Sequence, residues 1–315
     1  MAGMKAKTIK SILSKKINAW IETVEDDNLR KKLKKSVIVT GGAIVSMLEN
    51  NPVNDFDIYL KDHDVTKHLA EYYVQRFKSR TQKGIEVELR VTDIDGRIKI
   101  KAQSAGVAGI EGTDQPYEYF EGKSDNVGEE YIRSVMDNPR DIEDVYQEIE
   151  KKVLDQEKDD NSYRPVFLTS NAITLSNKIQ IVLRFYGEPD EIHGNYDFVH
   201  CTSYWTNWDN KLTLRPEALE AILSKELKYV GSKYPICSIV RLRKFIKRGW
   251  NINAGQIVKM AMQISELDLT DINVLEDQLT GVDTAYFIQL IERLKEKDPE
   301  KVNTAYLVEI IDRLF

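Results

Sequence analysis

Apolar and polar positions alternate between two periods along this chain, and the change of period marks its elements. Ile9, Ile12, Leu13, Ile17, Trp20 and Ile21 recur at helical spacing, so the N-terminal stretch predicts an amphipathic helix. After the basic run "LRKKLKK", the β-branched "SVIVT" reads as a buried strand. "GGAIVSMLEN" then predicts a tight turn opening a short helix, ended by Pro52, and "DFDIYL" a second strand. "DHDVTKHLAEYYVQRFKSR" predicts a helix with Asp64 as its N-cap. "GIEVELRVTD" and "RIKIKAQSA" predict a hairpin turning at Asp95-Gly96.

From Gly106 to about Pro165 the chain is rich in glycine and acids and reads as an insertion with one charged helix. Strands resume in "PVFLTSNAITLS" and "KIQIVLRFYG", joined through Asn177. "PDEIHGNYD" predicts a short helix and "FVHCTSYW" a strand. Beyond Lys211 the pattern is helical: "PEALEAILSKEL", "YPICSIVRLRKFIKRGW", "NAGQIVKMAMQIS" and two amphipathic segments near the C-terminus. The expected fold class is α+β: a mixed sheet with flanking helices, then a helical domain. The expected domains are an N-terminal helical segment (1–35), a mixed α/β domain (36–210) with an insertion at about 106–165, and a helical domain (211–315).

Composition narrows the function classes. With 315 residues, 42% of them hydrophobic, the chain can bury a substantial core. A net charge of -6 argues against nonspecific coating of nucleic acid, although local basic patches remain open. Two cysteines, Cys201 and Cys237, are too few for a disulfide framework or zinc cluster, which points to a reduced cytoplasmic setting. No apolar run reaches the ~20 residues needed to cross a bilayer, and the basic N-terminus lacks the apolar core of a signal peptide. Lys5, Lys7, Lys10, Lys15 and Lys16 are either the solvated face of the first helix or a nucleic-acid arm.

The chemistry concentrates in "SVIVTGGAIVSMLENNPVNDFDIYL", residues 36–60. Gly41 and Gly42 let the backbone approach a bound group at a helix N-terminus, which favours an anion, and Ser46 adds a hydroxyl one turn later. The competing account is a plain strand-helix turn. Asp55 and Asp57, two apart on a strand, face the same side while Phe56 points into the core. Two adjacent carboxylates repel unless a cation lies between them, and a hard divalent ion suits such ligands. The competing account makes Asp55 a turn residue and Asp57 an exposed strand position. Together, an anion-binding turn and a paired carboxylate suit a nucleoside triphosphate with its metals.

This segment resembles the signature of the DNA polymerase β-like nucleotidyltransferase superfamily: strand, Gly-Gly, short helix, then Asp-x-Asp on the next strand. Within it, the stretch is most similar to the head of the CCA-adding and poly(A)-adding group, as a divergent, virus-encoded relative would be. In "KIQIVLRFYGEPDEIHGNYDFVHCTSYW", Arg184 matches the group's strand arginine and Asp197-Phe198 its Asp-Phe. The resemblance covers residues 36–60 and 178–250. It implies metal-dependent transfer of a nucleoside monophosphate from a nucleoside triphosphate to an acceptor hydroxyl, releasing pyrophosphate. Asp55, Asp57 and Asp197 would hold Mg²⁺ or Mn²⁺, and Gly41, Gly42, Ser46 and Arg184 would bind nucleotide. Arg241, Lys244 and Arg248 share a face by spacing, so they would contact nucleotide or the phosphates of an RNA with a tRNA-like 3′ end.

The chain also departs from the group. Val45 and Ser46 stand where an Arg-Asp pair is usual, and Glu276-Asp277 lacks the arginine of the base-selecting Glu-Asp-x-x-Arg motif. Specific CCA synthesis is therefore not expected. Glu86 and Glu88 are an alternative source of a third carboxylate, with Arg90 and Lys99 offering an ion-pair account instead. His193 and His200 lack partners at zinc spacing, and His200 is expected as a packed strand residue. Two other readings stay open: a catalytically idle nucleotide-binding or structural protein, and a toxin-like enzyme modifying tRNA or protein.

Overall fold

The computed structural model describes residues 3–78, 87–104, 163–168, 171–269, 271, 274 and 278. All but the last three residues of the insertion expected at 106–165, and the segments expected near the C-terminus, lie outside the described residues. The chain divides into two units, and among the described residues the first runs through Val230 and the second begins at Gly231.

In the first unit, α1 (Ala6–Glu22) and α2 (Asp27–Leu33) precede β1 (Val37–Thr40). Asp26 caps α2, accepting from the Asn28 and Leu29 amides at 2.8 and 2.9 Å. Then come α3 (Gly42–Leu48), β2 (Phe56–Leu60), α4 (His63–Lys78) and the hairpin of β3 (Val87–Ile94) and β4 (Arg97–Ser104). Further along are β5 (Pro165–Leu168), β6 (Ala172–Leu175), β7 (Ile179–Val182) and α5 (Pro189–His193). β8 (Tyr204–Thr206), β9 (Lys211–Thr213) and α6 (Pro216–Ser224) complete it.

Seven strands form one sheet in the order β5-β6-β7-β2-β1-β8-β9, and β3 and β4 form a separate ribbon. The large sheet is mixed: β2 pairs parallel with β7, while its other pairings are antiparallel. The fold class is α+β, as the alternating periods predict. The β3–β4 turn falls at Asp95 and Gly96, both with positive φ (51° and 73°), as a two-residue hairpin requires.

One sheet face packs against α1 and α4 in the main core. Val37, Val39, Phe56, Ile58 and Leu60 point that way, meeting Leu13, Ile17, Trp20, Leu69 and Tyr73. Trp20 Nε1 donates to the buried Tyr73 hydroxyl at 2.7 Å, so the indole is satisfied where it is buried. Ile9, Leu13, Ile17, Trp20 and Ile21 are wholly buried. At about 1.5–3 kcal/mol each, they bind α1 with on the order of 10 kcal/mol, so α1 is part of the body and not a detachable arm. The opposite face carries a smaller cluster of Ile38, Tyr59, Val182 and Ile192, and this is the face of Asp57.

Four local expectations change. Lys211–Thr213, where the helical pattern is expected to begin, is instead strand β9, paired antiparallel with β8. Asp64 lies in the first turn of α4, not at its cap: Thr66 N reaches back to the Asp62 carbonyl, so the helix begins at His63. "PVFLTSNAITLS" is two antiparallel strands, with Leu168 opposite Ile173. "FVHCTSYW" is strand only at Tyr204–Thr206, and Val199–Cys201 forms a 3₁₀ turn. His200 is buried as expected, but in that turn. The backbone leaves the sheet there because Val199 N pairs with Lys228 O and Cys201 O accepts from Gly41 N.

The second unit contains α7 (Pro235–Lys247) and α8 (Ala254–Ser265). Asn253 caps α8 by accepting from Gln256 N. Among the described residues, no helix is long and apolar enough to cross a membrane.

Candidate nucleotide and metal site

β1 delivers the chain to Gly41, whose φ of 86° and ψ of -150° belong to a region open essentially to glycine alone. The constraint is also one of space. A Cβ at Gly41 would lie 2.9 Å from Asp57 Oδ2 and 3.6 Å from the Tyr196 hydroxyl, so the aspartate packs directly on the turn. Gly42 differs: it is exposed, opens α3, and an added Cβ would meet nothing within 4 Å. Gly41, as the cap residue, provides no side-chain hydrogen bond to the first turn of α3. Ser46 is half-buried one turn later, and its carbonyl accepts from Asn51 N.

Asp55 and Asp57 straddle the start of β2, both half-buried. Lys178 holds the approach to them: its Nζ donates to Val53 O at 3.0 Å and its carbonyl accepts from Phe56 N at 2.8 Å. The two carboxylates converge on Gln180, which lies opposite Asp57 on β7. With its nitrogen turned toward them, the amide donates to Asp55 Oδ2 and Asp57 Oδ1, each at 3.2 Å. The oxygen in that place would face only acceptors, so the nitrogen-first orientation is the stable one.

The carboxylate pair therefore encloses a point where positive charge is favoured, currently served by an N–H₂ group. Two carboxylates and an amide form an oxygen-donor set of the kind Mg²⁺ or Mn²⁺ accepts alongside water and phosphate. These residues fit such an ion. Among the described residues, however, no three of His, Cys, Asp and Glu gather into a metal-binding group. The structure thus brings Asp55 and Asp57 together and does not bring Asp197 to them as a third carboxylate. Asp197 is buried, 6% exposed, and its carbonyl accepts from Val230 N at 2.9 Å. Glu86 is outside the described residues, and Glu88 sits on β3, in the separate ribbon.

Behind the turn runs a hydrogen-bonded chain that spacing alone did not reveal. His193, at the end of α5, places Nε2 2.8 Å from Thr40 Oγ1 and Nδ1 3.1 Å from an Arg215 guanidinium nitrogen. Arginine can only donate, so Nδ1 accepts and the ring proton is on Nε2, donating to Thr40. The Thr40 hydroxyl in turn donates a hydrogen bond to Ser203 O at 2.9 Å or Cys201 O at 3.2 Å. Arg215 is also paired with Asp190. Thr40 directly precedes Gly41, so this chain fixes the strand end from which the turn departs. Tyr196, T-shaped against His193 at 5.1 Å, closes the Asp57 side. Burial, then Tyr59 and Asp57, raise its phenol well above the ordinary value, so it stays protonated.

Burial, then the Arg215 charge, lowers the His193 pKa from 6.5 to about 4. The unfolded chain thus takes up the proton first as pH falls. Stability contributed by the neutral ring is present above about pH 6.5 and is lost toward pH 4, by on the order of 2–3 kcal/mol. His193→Gln retains a donor for Thr40 and an acceptor for Arg215 without titrating in this range. Urea unfolding at pH 7 and pH 4.5 should show a smaller loss for the variant than for wild type. Equal losses would remove His193 as the source.

Arg184 stands two residues past β7, half-buried, its guanidinium 5.7 Å from the Phe185 ring. In the second unit, Arg241 and Lys244 are half-buried on α7, and exposed Arg248 is its C-cap. Gln180, Tyr196 and the His193 chain were not anticipated. The one available signal was Gln180 itself, a polar residue flanked by Ile179 and Ile181 in a buried strand.

Three comparisons bear on the chain. A family described as "Gabija anti-defense 2 family protein" matches residues 11–225. A curated relative, "Gabija anti-defense 2" of Bacillus phage SPbetaL7, is 22% identical over 123 residues, which are 38% of this chain and 31% of the relative. Among solved structures, a Thermotoga maritima CCA-adding enzyme complexed with tRNA gives a TM-score of 0.38 at 11% identity, covering 91% of this chain and 57% of that one. A tRNA-processing enzyme with CTP gives 0.37 at 9% identity, covering 84% and 55%. The chain thus spans about a third of the curated relative and somewhat over half of these enzymes.

Proposed function

The chain belongs to the Gabija anti-defense 2 family, and we propose that it is a metal-dependent nucleotidyltransferase whose anti-defense role, as the family name describes it, depends on that transfer. The observation that carries the reading is the convergence of Asp55 and Asp57 beside the Gly41-Gly42 turn, around a point where a positive group is favoured. Asp55 and Asp57 would hold Mg²⁺ or Mn²⁺. When bound, the ion supplies Lewis-acid activation of an acceptor hydroxyl and stabilises the departing pyrophosphate. The chain's own residues would do the positioning. The open approach at Gly42 and the first-turn N–H groups of α3 admit the triphosphate, and Ser46 and Arg184 add a hydroxyl and a charge. Tyr196 covers the Asp57 side and limits water there.

For the acceptor we propose an RNA 3′ end, with Arg241, Lys244 and Arg248 of the second unit contacting phosphate. The reaction would take place in the cytoplasm, where Cys201 and Cys237, which form no disulfide, stay reduced. Incubating the protein with each labelled nucleoside triphosphate, Mg²⁺ and total RNA should label RNA and release pyrophosphate. Reversing Lys244 and Arg248 to Glu should weaken RNA binding and flatten its salt dependence while sparing free ATP. An unchanged salt slope would remove RNA phosphate from that face.

One observation favours a second reading, nucleotide binding without transfer: among the described residues, no third His, Cys, Asp or Glu gathers with the carboxylate pair into a metal-binding group. Metal-dependent ATP binding with no pyrophosphate release would establish that reading instead.

A further inference from the structure

The Asp55–Asp57 pair takes its third arm from the neighbouring strand, and that arm is neutral. β2 and β7 run parallel, with Phe56 opposite Ile179, Asp57 opposite Gln180 and Ile58 opposite Ile181. Phe56, Ile58, Ile179 and Ile181 are all buried in the main core, so the pleat sends Asp57 and Gln180 together to the other face. The position is fixed by four packed side chains, and slipping it by one residue would drive a carboxylate into the core. At that position the amide lies 3.2 Å from an oxygen of each aspartate.

We infer that Gln180 is the third ligand of the metal site, its amide presenting nitrogen to Asp55 and Asp57 when no cation is held and oxygen when one is. The terminal torsion of a glutamine is broad and roughly two-fold, so exchanging N for O needs little movement elsewhere. What sets its direction is charge. Two carboxylates alone call for a donor, whereas a divalent cation between them calls for a third oxygen. This inference rests on the metal-dependent reading above and adds a consequence. Two carboxylates and a neutral amide give the site a formal charge of -2, where three carboxylates would give -3. The ion is therefore held less tightly by protein alone, and triphosphate oxygens supply the remaining ligands, coupling metal entry to nucleotide entry.

The test uses the full chain without nucleotide, reading free Mn²⁺ by electron paramagnetic resonance and metal-free stability by thermal melting. Gln180→Ala should weaken Mn²⁺ binding about tenfold, the loss typical of removing a group that supports a metal centre. Gln180→Glu should tighten it by about tenfold or more, lower the metal-free melting temperature through carboxylate repulsion, and enlarge the rise on adding Mn²⁺. Wild-type Mn²⁺ affinity in Gln180→Ala overturns the inference, even if Gln180→Glu proves unstable. If Asp57→Asn still loses the ion in that case, the metal-dependent reading stands without Gln180. Absence of Mn²⁺ binding by wild type, unchanged in Asp57→Asn, overturns both.

Discussion

Asp57→Asn, and separately Asp55→Asn, are each expected to lower nucleotidyl transfer by about a thousandfold or more while the protein stays folded. The magnitude follows from the several kcal/mol that a metal centre contributes to phosphoryl transfer, at 1.36 kcal/mol for each factor of ten. Both carboxylates converge on one point, so removing either charge leaves an incomplete cage. Thermal stability should not fall. An asparagine at either position is nearly isosteric and still offers an oxygen to the Gln180 amide, and it relieves the repulsion between two adjacent carboxylates. Transfer should be followed as pyrophosphate release, and melting in the same buffer without divalent ions. A variant that folds and transfers at near the wild-type rate would dismiss the pair as metal ligands.

The two glycines of the turn should respond in opposite ways. Gly41→Ala places a side chain at φ 86° and ψ -150°, a conformation costing about 1–3 kcal/mol for a non-glycine residue. Its Cβ also falls 2.9 Å from Asp57 Oδ2, and the carboxylate must yield. A loss of about 2–3 kcal/mol is expected, or roughly 5–10 °C in melting temperature, with metal binding impaired because Asp57 is displaced. Gly42→Ala sits in open space at the first position of α3, where alanine is the better helix former. It should leave stability unchanged or slightly raised. Gly42→Val should fold yet bind triphosphate far more weakly, because its branched side chain covers the approach to the α3 N–H groups. Nucleotide affinity, measured by titration calorimetry with Mg²⁺, separates the cases. Unchanged affinity in a folded Gly42→Val would leave the turn a structural feature only.

Much of the first unit was legible because it is written in short-range periodicity. "SVIVT" and "DFDIYL" announce strands by β-branching and alternation, and that alternation alone sends Phe56 inward and Asp55 and Asp57 to the other side. Asp95-Gly96 announces its hairpin because few residue pairs tolerate two positive φ angles in succession. The spacing of Ile9, Leu13, Ile17 and Ile21 announces α1 and its buried stripe. In one place where local signals misled, a distant group had taken the backbone's hydrogen bonds. "FVHCTSYW" has the composition of a strand, but Lys228 and Gly41 claim Val199 and Cys201, and the chain turns.

The amino-acid sequence by itself thus determined the elements, the glycine turn and the shared side of Asp55 and Asp57, because each depends on residues within a turn or a pleat of one another. Only the tertiary structure decided what surrounds them. Gln180 meets the aspartates because β7 pairs with β2, and His193 meets Thr40 across 153 residues of chain. Nothing in the local pattern specifies either encounter, since strand order reflects which apolar faces bury best against α1 and α4 once the intervening loops are closed. The same non-local packing keeps Asp197 out of any metal-binding group of three among the described residues, and gives an amide from the adjacent strand the place beside Asp57. Periodicity encodes which way a side chain points; the pairing of distant strands decides what it points at.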